Sequence, residues 1–256
     1  VCVTLGKTLP DQFNNKDVRG WIILSDDMNA AIQTIKAAKE YDINQLQLSH
    51  EIIHDLREIK NEKVCAQVNE LVNLAHSEGI NEVLLWDHSL YDIDYYPKRF
   101  RTGPGGTIDL DNPEFWEWLK DDYRQMLDRV SEADGLVLTF IETGAYAERQ
   151  FSKKMKSSEE KLAAVVNAIS DVLIGERKKK LYIRTFAYSE EEYKGTTGCI
   201  EYLKYDEVIL MMKETPHDFF LTHPDNYYIQ KMDRPVIVEF DLGNEYSGQG
   251  LSLIHI

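Results

Sequence analysis

Polar side chains gather just after the apolar segments of this sequence, and many are of types that transfer protons or bind anions. The set comprises Trp86, Asp87, His88, Glu142, Arg184, Lys213, His217, Asp218, Glu239, Asp241 and Glu245. Carboxylates can give or take a proton at a reacting group, whereas Arg and Lys bind anionic groups. The combination predicts acid–base chemistry on a substrate that carries a negative charge.

Glu142 stands near the end of the almost wholly apolar segment "GLVLTFIETG" (135–144). We expect its carboxyl to lie in low-dielectric surroundings that favour the protonated form, as a general acid requires. A helix cap or a structural salt bridge would place a glutamate here equally well. The sequence alone leaves the two interpretations open.

Two cations lie in later apolar segments. Arg184 interrupts "LYIRTF", and a buried arginine needs an anionic partner, either a carboxylate from a neighbouring strand or one from the substrate. Lys213 opens the loop "KETPHDFF". Within it, His217 and Asp218 could activate water beside the cation, although a solvated polar turn is the alternative.

Three carboxylates follow the last apolar run. Because successive strand residues alternate between the two faces of a sheet, Glu239 and Asp241 share a face, and at least one is expected to point inward. Glu245 lies beyond this alternation.

Seven short apolar runs alternate with amphipathic segments, as in proteins built from β-strand–α-helix units. The runs predict strands at 21–24, 43–48, 80–86, 135–141, 180–186, 207–212 and 235–240. The amphipathic segments predict helices at about 29–40, 62–78, 113–130, 157–174 and 190–204. Asn112 before Pro113 reads as a helix start, and Ser157 with Glu160 as a capping box. This alternation predicts a parallel sheet.

The sheet is predicted to be a (β/α)8 barrel, because polar residues collect at the carboxyl ends of successive strands and no G-x-G-x-x-G or P-loop follows the first. With seven strands counted, the barrel would be truncated and lack its last βα unit. We assign the barrel to 19–250 and regard 1–18 as the remnant of an N-terminal segment. One back-translation of "LSLIHI" (251–256) reproduces a transposase adapter end, so we expect a sequencing artefact there.

Lys and Arg total 29 against 44 Asp and Glu, which gives a net charge of −15. This charge argues against nucleic acid or an anionic membrane surface as a partner. The three cysteines show no paired spacing, so neither a disulfide framework nor a zinc site is predicted. No apolar run approaches the roughly 20 residues of a membrane span. We expect a soluble protein of the bacterial cytoplasm or periplasm.

Three segments occur in the order and near the spacing of a known family. "LYIRTFAY" (181–188), "VILMMKETPHDF" (208–219) and "VIVEFDLGNEYSGQG" (236–250) resemble the catalytic half of the family 67 glycoside hydrolases, the α-glucuronidases. That family has an Arg-[AT]-Phe-x-Tyr strand, a Lys-Asn-Gly-Pro-Met-Asp-Phe loop and a segment ending in Glu-Tyr-x-Gly-Gln. The resemblance is specific over 180–249 and weaker over 19–150.

The resemblance implies a role for each matched position. Glu142 would be the catalytic acid, and Asp218 and Glu245 the two candidates for the general base. Arg184 and Lys213 would bind the uronate carboxylate. Further substrate contacts are predicted for Trp86, Asp87, His88 and His217. The implied reaction is the inverting hydrolysis of an α-linked uronic acid on a xylan-type oligosaccharide, with no cofactor and no metal.

Two other functions stay open on the sequence. The first is a metal-dependent sugar isomerase or epimerase, although the histidines show no H-x-H or H-E-x-x-H spacing. The second is a barrel that binds carbohydrate without turnover. The full-length protein could form a homodimer.

Overall fold

A computed structural model of the chain describes residues 2–5, 18–25, 27–214 and 225–240. Its centre is a sheet of seven parallel strands in chain order: β2 (Arg19–Ile23), β3 (Gln45–Leu48), β4 (Glu82–His88), β5 (Gly135–Thr139), β6 (Lys180–Arg184), β7 (Ile209–Lys213) and β8 (Val236–Glu239). Each observed strand overlaps one predicted from an apolar run. The α/β class and the parallel sheet are therefore confirmed.

A further strand, β1 (Cys2–Leu5), runs antiparallel to the others. It pairs with β8 and with β2, and the eight strands close into a barrel in the order β1 to β8. The sequence places 1–18 ahead of the barrel, whereas the backbone of 2–5 lies in its sheet. The position beside β8 that the sequence leaves for a missing βα unit is thus occupied by this short antiparallel strand.

Helices cover the outside of the sheet: α1 (Met28–Ala38), α2 (Glu62–Ser77), α3 (Pro113–Arg129), α4 (Ser158–Ser170) and α5 (Glu190–Gly198). Asn112 caps α3 by accepting a hydrogen bond from the backbone N–H of Glu114. Both arms of the predicted Ser157–Glu160 capping box are formed at the start of α4. The predicted helix starts are therefore confirmed. No helix within the described ranges is long and apolar enough to cross a bilayer.

Alternate strand residues divide into two apolar groups, as the pleat of a strand requires. One group packs between the sheet and the helices and includes Leu85, Leu138, Ile183 and Met212. The other forms a separate cluster that fills the barrel and consists of Leu84, Trp86, Val137, Tyr182, Met211 and Ile237. A side chain that follows Trp86 or Tyr182 by two positions is therefore carried toward the carboxyl-end mouth of the barrel.

A chain of hydrogen bonds crosses the barrel interior beneath that mouth. The Tyr182 hydroxyl and Gln45 Nε2 both donate to Glu82 Oε1, at 2.6 and 2.8 Å. Gln47 Nε2 donates to Gln45 Oε1 at 3.1 Å, and Gln47 Oε1 accepts the indole N–H of Trp86 at 3.1 Å. Because each bond fixes the next side chain, the orientation of the Trp86 ring is set from below.

Candidate functional site

A buried ion pair lies at the carboxyl ends of β6 and β8. Arg184 donates from Nε and Nη2 to the two carboxylate oxygens of Glu239, both at 2.7 Å. Its guanidinium also lies 4.8 Å from the Trp86 ring centre. The sequence leaves two partners open for Arg184, a carboxylate of a neighbouring strand or one of the substrate. In the structure Arg184 pairs with the protein carboxylate. Glu239 points into the barrel, as strand alternation predicts.

Lys213 ends β7 next to this pair. It is opposite Glu239 in the sheet register, is 4% exposed, and its ammonium lies 4.3 Å from the centre of the Phe186 ring. Burial alone would raise the pKa of Glu239, but the charges of Arg184 and Lys213 and the hydrogen bonds from Arg184 hold it below its usual value. Among the described residues, Arg184, Lys213 and Glu239 thus form a buried cluster of charges at the barrel mouth.

His50 also packs against Trp86. Its ring centre is 4.9 Å from that of Trp86, and its Nδ1 is 2.7 Å from the hydroxyl of Ser49. Burial, together with the nearby charge of Arg184, lowers the pKa of His50. The imidazole is therefore uncharged at neutral pH and adds no positive charge to the site.

Glu142 occupies the rim of the mouth and not its interior. Strand β5 ends at Thr139, and Glu142 has a left-handed backbone with φ of 60° and an exposed side chain. Its Oε1 accepts a hydrogen bond from the Tyr188 hydroxyl at 2.7 Å. The apolar surroundings that the sequence predicts for this carboxyl are absent, because the chain leaves the strand before reaching it.

Asp87 lies on the outer face of β4, between the sheet and α3. Its oxygens accept hydrogen bonds from Arg57 Nη1 at 2.9 Å and from the Tyr123 hydroxyl at 2.5 Å. The same Arg57 nitrogen donates to Asp55 Oδ2 at 2.9 Å. This buried cluster replaces the substrate contact that the sequence predicts for Asp87. Alternation explains the difference, because Trp86 occupies the inward position before it.

His88 ends β4 and is linked to the same cluster. Its Nδ1 lies 3.3 Å from Asp55 Oδ2, and its ring centre is 4.5 Å from that of His54. The residue is 1% exposed, and its Nε2 has no hydrogen-bond partner in the described part of the chain. The structure brings His88 and Trp86 to the mouth with Arg184 and Lys213. The remaining predicted residues, His217, Asp218 and Glu245, lie outside the described residues, as does Asp241.

Two groups at the site are not singled out by the sequence argument. Tyr188 donates a hydrogen bond to the candidate acid Glu142. The sequence feature that could have indicated it is its place as the last residue of the "RTFAY" motif. Gln47 fixes the Trp86 indole, and its signal is a polar residue in the otherwise apolar strand "QLQL". Among the described residues, no group of three or more His, Cys, Asp and Glu side chains is placed to hold a metal ion.

The buried Asp87 makes stability depend on pH. Burial raises its pKa to about 7 against the opposing charge of Arg57, whereas an unfolded aspartate has its pKa near 3.8. The folded state then holds a proton that the unfolded state lacks between about pH 4 and pH 7. This contribution to stability is full below pH 4 and is lost as the pH rises through 7.

In the wild type, the Asp87 contribution to the free energy of unfolding falls as the pH rises from about 4 to about 7. Asp87→Asn removes this contribution, so the slope of the free energy against pH should become less negative by about 1 kcal/mol per pH unit. Urea denaturation at a series of pH values measures the slope. Asp128→Asn, which removes an exposed carboxylate on the outer face of α3, is the matched control and should keep the wild-type slope. Equal slopes for Asp87→Asn and wild type would contradict the prediction.

Comparison with known proteins gives a limited result. No protein-family model matches the chain, and no curated protein matches it. A solved structure described as "Structure of CpGH84B" is similar, with a TM-score of 0.48 and 14% sequence identity. The match covers 77% of this chain and 33% of that protein, so the chain spans about a third of its length. A likeness of this degree bears on neither the activity nor the substrate.

Proposed function

We propose that this chain is the catalytic (β/α)8-type barrel of a glycoside hydrolase that removes an α-linked uronic acid from a xylan-type oligosaccharide with inversion. The observation that supports it most is the pair of buried cations at the carboxyl ends of the strands, Arg184 against the Trp86 ring and Lys213 against the Phe186 ring. In barrels of parallel strands the active site lies at that end. Two buried cationic side chains within a strongly acidic chain suit an anionic ligand of small size.

The uronate carboxylate binds at this cationic site. Glu239 accepts two N–H donors of Arg184, and in this proposal the substrate carboxylate binds beside this pair and the Lys213 ammonium. Trp86, which is itself buried, packs against the Arg184 guanidinium and holds it in place. This arrangement also accounts for Glu239, because without it two buried cations would face each other unneutralised.

Glu142 is the general acid that protonates the departing glycosidic oxygen. Its position on the rim, with Oε1 held by Tyr188, supports a role beside the leaving group and not beneath the uronic ring. Asp218 or Glu245 deprotonates the attacking water. Inversion requires the acid and base carboxyls to stand about 6.5–9.5 Å apart, so that the water fits between sugar and base.

The test is hydrolysis of an aldouronic acid, a xylo-oligosaccharide that carries an α-linked glucuronic acid. We expect release of glucuronic acid whose first-formed anomer, followed by proton NMR, is β. The same xylo-oligosaccharide without the uronic acid is the control and should not be cleaved. Uronate binding without release would favour the non-catalytic carbohydrate-binding barrel, and an α-anomer formed first would exclude inversion.

A further inference from the structure

A buried asparagine, Asn226, uses both polar atoms of its side chain next to the end of β7. Its Nδ2 donates to the backbone carbonyl of Lys213 at 3.0 Å. Its Oδ1 accepts from the Tyr193 hydroxyl at 3.0 Å and from the backbone N–H of Tyr228 at 3.1 Å. Asn226 is 4% exposed, so these bonds are shielded from solvent. Asn226 therefore joins helix α5, which carries Tyr193, to the strand that carries Lys213.

The partners of the Asn226 amide fix its direction. The backbone N–H of Tyr228 can only donate and the carbonyl of Lys213 can only accept, so the amide oxygen must face the first and the nitrogen the second. The Tyr193 hydroxyl adds a second donor to the oxygen. An amide turned by half a rotation would lose the bonds to Tyr228 and to Lys213. The donor that reaches the Lys213 carbonyl is thus held there by its neighbours.

The backbone at the end of β7 is held from two sides. On one side, the backbone N–H of Glu214 donates to the carbonyl of Glu239 at 2.9 Å. On the other side, the Glu214 carbonyl accepts from the backbone N–H of Asn226, next to the bond between Asn226 Nδ2 and Lys213. These three bonds fix the peptide groups that follow Lys213. They therefore set the direction in which the Lys213 side chain leaves the strand.

That direction decides where the Lys213 ammonium lies. The ammonium is carried on a flexible four-carbon stem, so a strand end that could move would let it take many positions. In the structure it lies 4.3 Å from the centre of the Phe186 ring, and Lys213 is opposite Glu239 in the sheet register. A cation that is already ordered loses less conformational entropy when it binds an anion. The bonds of Asn226 thus favour anion binding without a contact to the anion.

We propose that Asn226 and Tyr193 are positioning residues for Lys213, and that the affinity of the barrel mouth for an anion depends on them through Lys213. The inference rests on the proposed function for the anionic ligand. It goes beyond that function by giving two residues outside the candidate site a role in binding. The position of the Lys213 ammonium can also be measured without any ligand.

The first experiment follows the Lys213 side chain by NMR in protein that contains isotope-labelled lysine. Because the ammonium lies over the Phe186 ring, the ring current should shift the Cε protons upfield from those of exposed lysines. The signal absent from Lys213→Met identifies the residue. We expect Asn226→Ala to lose most of this shift. Tyr193→Phe, which keeps the amide and removes one donor to its oxygen, should reduce the shift by less.

Asn167→Ala is the matched control. Asn167 is a half-buried residue of α4 whose Nδ2 donates to the carbonyl of Tyr202 at 3.0 Å and whose Oδ1 accepts from the backbone N–H of Lys204 at 2.7 Å. Its removal therefore costs the same kinds of hydrogen bond as the removal of Asn226. The Lys213 shift should stay at its wild-type value in this control. Circular dichroism checks that each variant is folded.

The second experiment measures the binding of glucuronate, with glucose as the neutral ligand of similar shape. Asn226→Ala should bind glucuronate about fivefold more weakly than wild type, the effect of losing one hydrogen bond that orders the site. Combined with Lys213→Met, the same change should have no further effect, because the group through which it acts is gone. A merely structural role would weaken binding equally with and without Lys213. Glucose binding should be the same in Asn226→Ala and wild type.

An unchanged Lys213 shift in both Asn226→Ala and Tyr193→Phe would overturn the inference. Equal losses of glucuronate affinity in the presence and absence of Lys213 would also overturn it. A wild type that binds no glucuronate, but whose Lys213 shift disappears in Asn226→Ala, would refute the proposed function and support the positioning of Lys213 by Asn226.

Discussion

Arg57→Met should lower the free energy of unfolding by about 3–5 kcal/mol, because it leaves two buried carboxyl groups, Asp55 and Asp87, without their cationic partner. The Arg57 side chain is 2% exposed, and it is the cation that Asp55 and Asp87 share at 2.9 Å each. Burial would raise the pKa of Asp55, but the charge of Arg57 and the hydrogen bonds from His88 and from the Arg57 backbone lower it to about 2. Without Arg57 both carboxyls lose the charge that compensates their burial.

Urea denaturation at neutral pH measures the loss, and the same measurement near pH 4 tests its cause. Protonation relieves an unpaired carboxylate, so the deficit of Arg57→Met should shrink as the pH falls. Arg124→Met is the matched control, since the Arg124–Glu176 pair is about one-third exposed and a surface pair contributes about 0–1 kcal/mol. A deficit for Arg57→Met no larger than that control would show that the cluster contributes little.

The parallel strands could be predicted because buried strands of a parallel sheet are nearly continuous apolar runs. Strand β1 gives no such signal, since "CVTL" has four residues and its place depends on pairing with both β2 and β8. Register is likewise a property of the closed barrel. Arg184 and Glu239 are 55 positions apart, and their contact follows from the curvature of the sheet across β7.

Asp87 and Glu142 show which properties of the site can be predicted from the sequence and which cannot. The outward direction of Asp87 follows from alternation with Trp86 and His88, so the sequence contains that information. The exposure of Glu142 does not follow from the sequence, because its apolar predecessors Phe140 and Ile141 already lie beyond the strand. A backbone turn with positive φ at Glu142 redirects the carboxyl, and the pattern of apolar and polar residues does not predict this turn.

The electrostatics of the site separate two kinds of carboxylate. Glu239 is buried and yet ionised, because the positive charge of Arg184 stabilises its carboxylate. Glu148 is half-buried, and burial raises its pKa. Glu148 therefore has the surroundings that the sequence predicts for Glu142, and it lines a cavity of about 400 Å³ between α4 and α5. The two glutamates compete for the role of acid on physical grounds.

Glu142→Gln should reduce hydrolysis of an aldouronic acid by about 10²–10⁴-fold, the usual contribution of a general acid. Glutamine keeps the size of the side chain and an oxygen that can accept from Tyr188, so binding should persist while kcat falls. Glu132→Gln, at the opposite end of β5 and exposed, is the matched control and should retain wild-type kcat. Steady-state kinetics separates the loss in kcat from any change in KM.

The identity of the leaving group distinguishes an acid from a merely structural glutamate. The aryloxide of an aryl glucuronide is a good leaving group and departs with little need of a proton. Glu142→Gln should therefore lose much less activity on an aryl glucuronide than on the aldouronic acid. A structural defect would lower both rates together. If Glu148→Gln shows this split and Glu142→Gln does not, the acid is Glu148 and not Glu142.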